Sequence, residues 1–305
     1  MHAAIQHFRD NREKYPFSLN ALYRTLNISK QAVYKYKVVM DRKAEEMAYV
    51  VGIVSEVRRE HPTMCLRDIY YKVKPEGIGR DRFESLCREC GLQSQRRVNF
   101  FRTTDSSGVI RFENLLEKIL ITRINQVWQS DITYIYVNGR FYYITFIIDS
   151  FSRVIVGYSV SQRLFTENTV IPALEMALRF RHGVSLDGLI FHSDGGGQYY
   201  SKQFLQFTQR HHFRNSMCTY SWENGKAERV NGIIKNNYLY HRHIDGYDSL
   251  KKEVDRAVSL YNNDKPHIKL QRLSPVQFEK RLSLQYQNRD SNELRVQPIT
   301  PNNDI

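Results

Sequence analysis

The sequence predicts an α/β region with a mixed sheet and flanking helices, preceded by all-α regions of helix-turn-helix type. Two observations support this fold class. Residues 1–100 are polar and basic, with apolar positions at helical spacing, whereas residues 132–160 form three successive runs rich in β-branched and aromatic side chains. In the region that contains these runs, acidic residues also lie at strand ends and on a late helix. This placement predicts a metal-binding or catalytic site as well as a fold.

The N-terminal residues predict a DNA-binding motif. Residues 18–34 have the apolar spacing of a helix-turn-helix, and Ser18 and Ser29 are placed to cap its two helices. The second helix then presents Lys30 and Gln31 to DNA near its N-terminus. An ordinary helical hairpin is the alternative, and the basic composition favours DNA contact.

Three further helices are predicted before the α/β region. Residues 41–60 are amphipathic, and residues 65–70 and 82–87 form a second helical pair. Asp81 is a candidate cap for the last of these helices, and Gly91 is placed to end it.

The chain divides into five predicted regions. Arg96 and Arg97 precede a polar linker and are candidate contacts to the DNA backbone, although most basic linkers are only solvated. The regions are a helix-turn-helix-like DNA-binding region (1–45), a second helical, helix-turn-helix-like domain (46–100), a basic linker (101–122), an α/β core (123–285) and a polar, disordered tail (286–305).

The α/β core has a recognisable order of elements. Asn138-Gly139 lies between two β-rich runs and predicts a hairpin. The predicted strands are 132–137, 141–148, 153–160, 188–192 and 213–218, and the predicted helices are 166–180, 201–210, 222–240 and 249–261. Three antiparallel strands followed by this alternation are typical of a ribonuclease-H-like domain.

Composition limits the partners and the compartment. The 305 residues carry a formal net charge of +13 with 41% hydrophobic residues, which favours a nucleic-acid binder with a sizeable core. No signal peptide or membrane-spanning run is visible, so a reducing cytoplasm is expected. The Cys87-x-x-Cys90 pair lacks a second metal-binding pair, so zinc is not expected.

Three acidic residues predict a metal site. Asp131 opens a predicted strand, Asp194 follows a short apolar strand and precedes three glycines, and Glu228 lies inside a helix. Carboxylate oxygens suit Mg²⁺, for which Mn²⁺ substitutes, and two ions can stabilise the attacking and leaving oxygens of a phosphodiester reaction. Taken singly, Asp131 could be a turn residue and Glu228 an ordinary solvated glutamate. Glu223 competes with Glu228, but its place at the helix start favours a capping role.

Other polar residues near these acids have less specific roles. Lys226, Arg229 and Lys235 are candidate phosphate contacts, and the alternative is a charged, solvated helix face. Asp149 is expected to be a structural turn acid, and His192 a structural histidine.

Several segments resemble one known family. The chain resembles the DDE transposases of the insertion-sequence-three family, in the retroviral-integrase superfamily, from about Trp128 to Pro275. Lys235, seven positions after Glu228, is a further mark of that family. Two departures are the 33 residues between Asp194 and Glu228 (228 − 194 − 1), two fewer than usual, and Glu223 in place of an Asp. The segments are WQSDIT (128–133), DSFSRVIVGY (149–158), HSDGGGQYYS (192–201) and YNNDKPH (261–267).

The resemblance implies metal-dependent cleavage at DNA 3′ ends and strand transfer of an insertion sequence, without a covalent protein–DNA intermediate. It implies double-stranded DNA partners, both terminal inverted repeats and target, and a homodimer or larger assembly on that DNA. It also implies a possible upstream-frame DNA-binding protein, no membrane, and a place on the bacterial nucleoid. The alternatives are a hydrolytic-only ribonuclease-H-like nuclease and a DNA-binding regulator with an inactive core.

Overall fold

The computed structural model describes residues 2–94 and 112–293. The chain forms two compact units, one of residues 1–57 and 65–93 and the other of residues 58–64 and 94–305. Arg96, Arg97 and part of the predicted linker lie outside the described residues, as do residues 294–305 of the predicted tail. The domain boundaries given above therefore stay predictions.

The first unit contains helices joined by short connections. Its helix-turn-helix caps are confirmed, because the hydroxyl of Ser18 accepts a hydrogen bond from the Ala21 amide and that of Ser29 accepts one from the Ala32 amide. Asn27 has a φ of 51°, which makes the turn between the two helices. The helices are α1 (His2–Asp10), α2 (Leu19–Thr25), α3 (Lys30–Glu60), α4 (Leu66–Val73) and α5 (Arg80–Glu89).

Two predictions about these helices were wrong. The predicted helix at 41–60 is part of α3, because no Gly or Pro interrupts the chain between residues 30 and 51 and good helix formers fill it. This helix crosses the predicted boundary between residues 45 and 46. Asp81 does not cap α5; Gly79 holds that position, and the Asp81 carboxylate accepts two hydrogen bonds from the Arg80 guanidinium. Gly91 has a φ of 70° and ends this helical segment as predicted.

The second unit has a five-stranded mixed sheet. The strand order is β3-β2-β1-β4-β5, with β1, β2 and β3 antiparallel and β4 and β5 parallel to β1. Asn138 (φ 45°) and Gly139 (φ 81°) form the predicted hairpin turn between β1 and β2. The strands are β1 (Val127–Val137), β2 (Arg140–Asp149), β3 (Ile155–Ser161), β4 (Ile190–Ser193) and β5 (Arg214–Met217).

Helices cover both faces of this sheet, as in the ribonuclease-H-like fold. Buried side chains of α8 and α9 pack on one face, and those of α6 and α7, with the fully buried Trp128, pack on the other. The helices are α6 (Val170–Phe180), α7 (Lys202–Arg210), α8 (Gly225–Asn237), α9 (Tyr247–Asn263) and α10 (Pro275–Glu293). The predicted polar tail from residue 286 is wrong in part, because α10 continues to Glu293.

A buried acid supports the end of β2. The Asp149 side chain is fully buried and accepts hydrogen bonds from the backbone amides of Asn125, Phe151 and Ser152. These bonds satisfy a carboxylate that would otherwise be costly to bury, so Asp149 is a structural turn acid as predicted.

Among residues 2–94 and 112–293, no helix is long and apolar enough to span a membrane. Cys87 and Cys90 form no disulfide, and in the described part of the chain no three or more His, Cys, Asp or Glu side chains are already clustered as a metal site.

Candidate active site

Strand register brings the two candidate aspartates together. The parallel pairing of β1 with β4 runs from Val127↔Ile190 to Ser130↔Ser193. Asp131 and Asp194 are the next residues along the two adjacent chains, so they lie side by side where β4 ends. This adjacency joins two acids that are 63 positions apart in sequence (194 − 131).

The prediction that Asp131 opens a strand was wrong. Asp131 is inside β1, where it pairs with Phe146 of β2, because the strand begins at Val127. Residues 127–130 are buried between two neighbouring strands, which extends β1 beyond its β-branched segment. Asp131 therefore projects from regular sheet, and its position is fixed by backbone hydrogen bonds.

The glycines after Asp194 make room beside its carboxylate. One Asp194 carboxylate oxygen accepts a hydrogen bond from the Gly196 amide at 3.1 Å. A Cβ atom added at Gly196 would lie 3.1 Å from that same oxygen, Oδ1, and 3.3 Å from Oε1 of Gln198. Both separations are tight, so a side chain at position 196 would push on the candidate ligand.

Two asparagines attach helix α8 to the strand that bears Asp131. Asn224 Nδ2 donates to the backbone carbonyl of Ser130 at 2.9 Å, and Asn231 Nδ2 donates to Oδ2 of Asp131 at 2.7 Å. Glu228 lies three residues before Asn231, which places the two side chains on neighbouring positions of one helix face. The Glu228 side chain is exposed, and its charge is near enough to contribute to the raised pKa of Asp131.

The three carboxylates are electrostatically coupled. Burial, with the negative charges of Asp194 and Glu228, raises the pKa of Asp131 to about 8. Burial also raises the pKa of Asp194, and burial with the charge of Asp194 raises the pKa of Glu228. Among the described residues, no Lys or Arg forms an ion pair with any of the three. An oxygen-rich, anionic set without a protein counter-charge suits divalent cations such as Mg²⁺.

Glu223 is occupied elsewhere. Its Oε2 atom accepts hydrogen bonds from the amides of Thr219 at 2.6 Å and Tyr220 at 2.9 Å. These bonds cap the short 3₁₀ turn Ser221–Asn224 that precedes α8, which confirms the predicted capping role. Of the two competing glutamates, the geometry leaves Glu228 free to reach the aspartates.

Two buried contacts behind the aspartates were missed at the sequence level. The hydroxyls of Ser130 and Tyr199 are 2.9 Å apart, and Tyr199 is almost fully buried. His192 is fully buried beside the Ser216 hydroxyl, with Nδ1 at 2.9 Å, and burial lowers the pKa of His192 to about 4. His192 is thus neutral near pH 7 and structural, as expected. All four positions of β4 are buried, so the short apolar run was the available signal, but it does not identify the partners.

The predicted DNA-contacting residues differ in their surroundings. Lys30 and Gln31 are exposed at the start of α3. In the second unit Arg229 is exposed, whereas Lys226 Nζ donates to the Ser150 carbonyl at 2.9 Å. Lys235 Nζ lies 5.8 Å from the centroid of the Tyr134 ring, and burial lowers the pKa of both lysines. Their contacts with DNA stay predictions.

Comparison with known families and proteins gives a consistent result. Two family profiles, both described as an integrase core domain, match residues 121–220 and 212–275. Together they cover residues 121–275, which is the sheet with α6 to α9 and thus about half of the chain.

Curated relatives extend this similarity beyond the core. The chain is 30% identical over 228 residues to a transposase for insertion sequence element IS629 of Shigella sonnei, covering 72% of this chain and 75% of the relative. It is 33% identical over 199 residues to transposase InsF for insertion sequence IS3A of Escherichia coli K12, covering 63% of this chain and 67% of the relative. A solved HTLV-2 integrase catalytic core in complex with magnesium aligns at 22% identity with a TM-score of 0.41, covering 50% of this chain and 95% of that one.

Proposed function

We propose that this chain, which belongs to the insertion-sequence transposases of the IS3 type with an integrase core domain, cuts DNA at its element's 3′ ends and transfers the cut strand to a second phosphodiester. The observation that carries the proposal is the register of β1 and β4. In this register Asp131 and Asp194 are neighbours, Asn231 of α8 donates to Asp131, and Glu228 lies three residues earlier on the same helix, which supports the proposed set of ligands.

The three carboxylates supply the oxygen ligands that divalent cations prefer, although they do not form a ready-made three-ligand cluster in this structure. Asp131, Asp194 and Glu228 are the residues that would hold two Mg²⁺ ions, or Mn²⁺ in their place, because burial with the charges of Asp194 and Glu228 raises the pKa of Asp131 and no cationic side chain pairs with any of the three among the described residues. Such ions, when bound, activate the attacking oxygen and stabilise the leaving one.

The remaining residues hold these carboxylates and admit the DNA. Asn231 orients the Asp131 carboxylate, and the small glycines at 195–197 leave room for a DNA backbone beside Asp194. Lys226, Arg229 and Lys235 supply positive charge along the same helix as Glu228. Lys30 and Gln31 in the first unit, with Arg96 and Arg97, complete the proposed set of DNA contacts.

The reaction requires partners. Joining two ends of an element requires that both DNA ends be held in one complex, so we expect a homodimer or larger assembly on the terminal inverted repeats and the target. An upstream-frame DNA-binding protein is a further proposed partner, and the bacterial nucleoid is the proposed place of action.

The test uses the full chain, a labelled duplex of its element's end, and Mg²⁺. We expect nicked 3′ ends and joined strands from the wild type, and neither product from Asp194→Asn or Glu228→Gln. Glu223→Gln is the matched control, since Glu223 only caps a turn, and it should keep most of the activity.

Each other outcome has a defined meaning. Nicked but never joined DNA would support the hydrolytic nuclease. Equal activity in the wild type and in Asp194→Asn would remove the carboxylate site from the reaction. DNA binding by the wild type with no cleavage under any divalent ion would support the regulator with an inactive core.

A further inference from the structure

An exposed apolar pair stands on the connection between β3 and α6. Leu164 is 41% exposed and Phe165 is 60% exposed, and each therefore leaves apolar surface in contact with water. An exposed phenylalanine on an ordered backbone is a candidate binding surface. The chemistry of the neighbouring residues indicates which partner it binds.

The backbone around this pair is fixed. The Phe165 carbonyl accepts hydrogen bonds from the Asn168 amide at 3.0 Å and from Thr169 Oγ1 at 2.8 Å. The Leu164 carbonyl accepts one from Gln198 Nε2 at 2.9 Å, and Thr166 Oγ1 donates to the Gln198 carbonyl at 3.3 Å. The Phe165 ring is therefore presented to solvent from an ordered support.

Gln198 connects this pair to the carboxylate site. Its amide nitrogen binds the Leu164 carbonyl, while its amide oxygen, Oε1, lies within 3.3 Å of the Cβ position of Gly196. The same position lies 3.1 Å from Oδ1 of Asp194. The Gln198 side chain therefore reaches from the Leu164–Phe165 pair to the surroundings of Asp194.

A positive charge lies directly beside the pair, and an exposed acid, Glu167, lies two residues beyond Phe165. Arg163 immediately precedes Leu164, is exposed, and has no hydrogen-bonded or ion-paired side-chain partner among the described residues. A free cation next to an exposed aromatic ring is the combination that binds an unpaired nucleotide, because the cation meets the phosphate and the ring stacks on the base.

We propose that Phe165 stacks on a DNA base next to the cleaved phosphodiester and holds it out of the duplex, while Arg163 binds the adjacent phosphate. This inference rests on the proposed function. Its physical purpose is to hold the end of the duplex open, since unstacking a base step costs a few kcal/mol and the aromatic–base stack offsets that cost.

The experiment compares cleavage of two labelled end duplexes with Mg²⁺, one fully paired and one with mismatched bases beside the scissile bond. We expect Phe165→Ala to lose roughly tenfold in cleavage of the paired duplex, the size of one aromatic–base stack, and to recover near wild-type rates on the mismatched duplex. Phe165→Trp should retain cleavage of both substrates. Phe180→Ala is the matched control, because Phe180 is 49% exposed at the far end of α6.

Recovery on the mismatched duplex separates base opening from a structural role, which unpaired DNA would not repair. Equal loss on both duplexes, or loss accompanied by a change of oligomeric state, would overturn the inference and assign the pair to protein contact. A wild type that cleaves neither duplex would instead reject the proposed function. A wild type that cleaves both, together with a fully active Phe165→Ala, would reject the inference alone.

Discussion

The candidate ligands are held in two different ways. Asp131 and Asp194 are fixed by the β1–β4 register within or directly after strands, whereas Glu228 is exposed on α8 and reaches the site through contacts made by two asparagines. A strand ladder fixes its residues by repeated backbone bonds, whereas α8 is held by apolar packing on the sheet and a few side-chain hydrogen bonds, so it can shift by small amounts. The comparison indicates that the sheet supplies a fixed half of the site and α8 an adjustable half.

The largest expected effect is on the free energy of unfolding, and it should differ between the buried Asp131 and the exposed Glu228. Since the pKa of Asp131 is raised from 3.8 to about 8, the folded protein keeps a proton in this pH range that the unfolded chain has lost. Without metal, stability should therefore fall as pH rises from about 4 to 8, by several kcal/mol at most.

The fall in stability is measured by the thermal unfolding midpoints at pH 5 and pH 8, with a chelator present to remove metal ions. Asp131→Asn should flatten the decline markedly and Glu228→Gln only slightly, and Mg²⁺ should raise the wild-type midpoint most at pH 8. An Asp131→Asn variant with the wild-type slope would show that Asp131 is not the group responsible.

The second effect concerns side-chain length. Asp194→Glu moves a carboxylate by one methylene from a backbone that cannot compensate, so cleavage should fall roughly 100-fold. Glu228→Asp removes one methylene on a helix that can shift, and a loss of about tenfold is expected. Single-turnover cleavage rates of the two variants, with melting curves to confirm folding, make the comparison. Equal losses would mean that α8 is held as firmly as the sheet.

The sequence predicts the fixed half of the site better than the adjustable half. Asp194 stands out because an apolar strand leads to it and three glycines follow. The local pattern around Asp131 predicts a strand start instead of a strand interior, since alternation of side chains does not show that residues 128–130 pair with both β2 and β4.

Contacts that are distant in sequence account for what could not be predicted. The bond between Asn231 and Asp131 spans 100 positions, and that between Ser130 and Tyr199 spans 69. Both depend on how the helices lie over the sheet, which no local periodicity specifies. The continuous α3 was missed for a simpler reason: its buried positions, Val33 and then Val50, Val54 and Val57, do not form one continuous stripe, although its helix-forming composition is unbroken.

The smallest effect tests the link between the two halves. Asn231→Ala removes the hydrogen bond that α8 makes to Asp131, so the carboxylate loses its orientation while every candidate ligand remains. A loss of about tenfold in cleavage is expected, the lower end of what residues supporting a metal ligand contribute. The Mg²⁺ concentration for half-maximal rate should rise as well, because a misoriented Asp131 binds a cation less well.

Asn237→Ala, at the last residue of the same helix, is the control and should leave both quantities unchanged. Asn231→Asp sharpens the test, since it keeps the size of the side chain but turns a donor into a fourth negative charge beside Asp131. That variant should be worse than Asn231→Ala at low Mg²⁺ and should improve as Mg²⁺ rises. If Asn231→Ala and Asn237→Ala behaved alike, the 2.7 Å contact would have no part in positioning Asp131, and α8 would be placed by its apolar packing on the sheet alone.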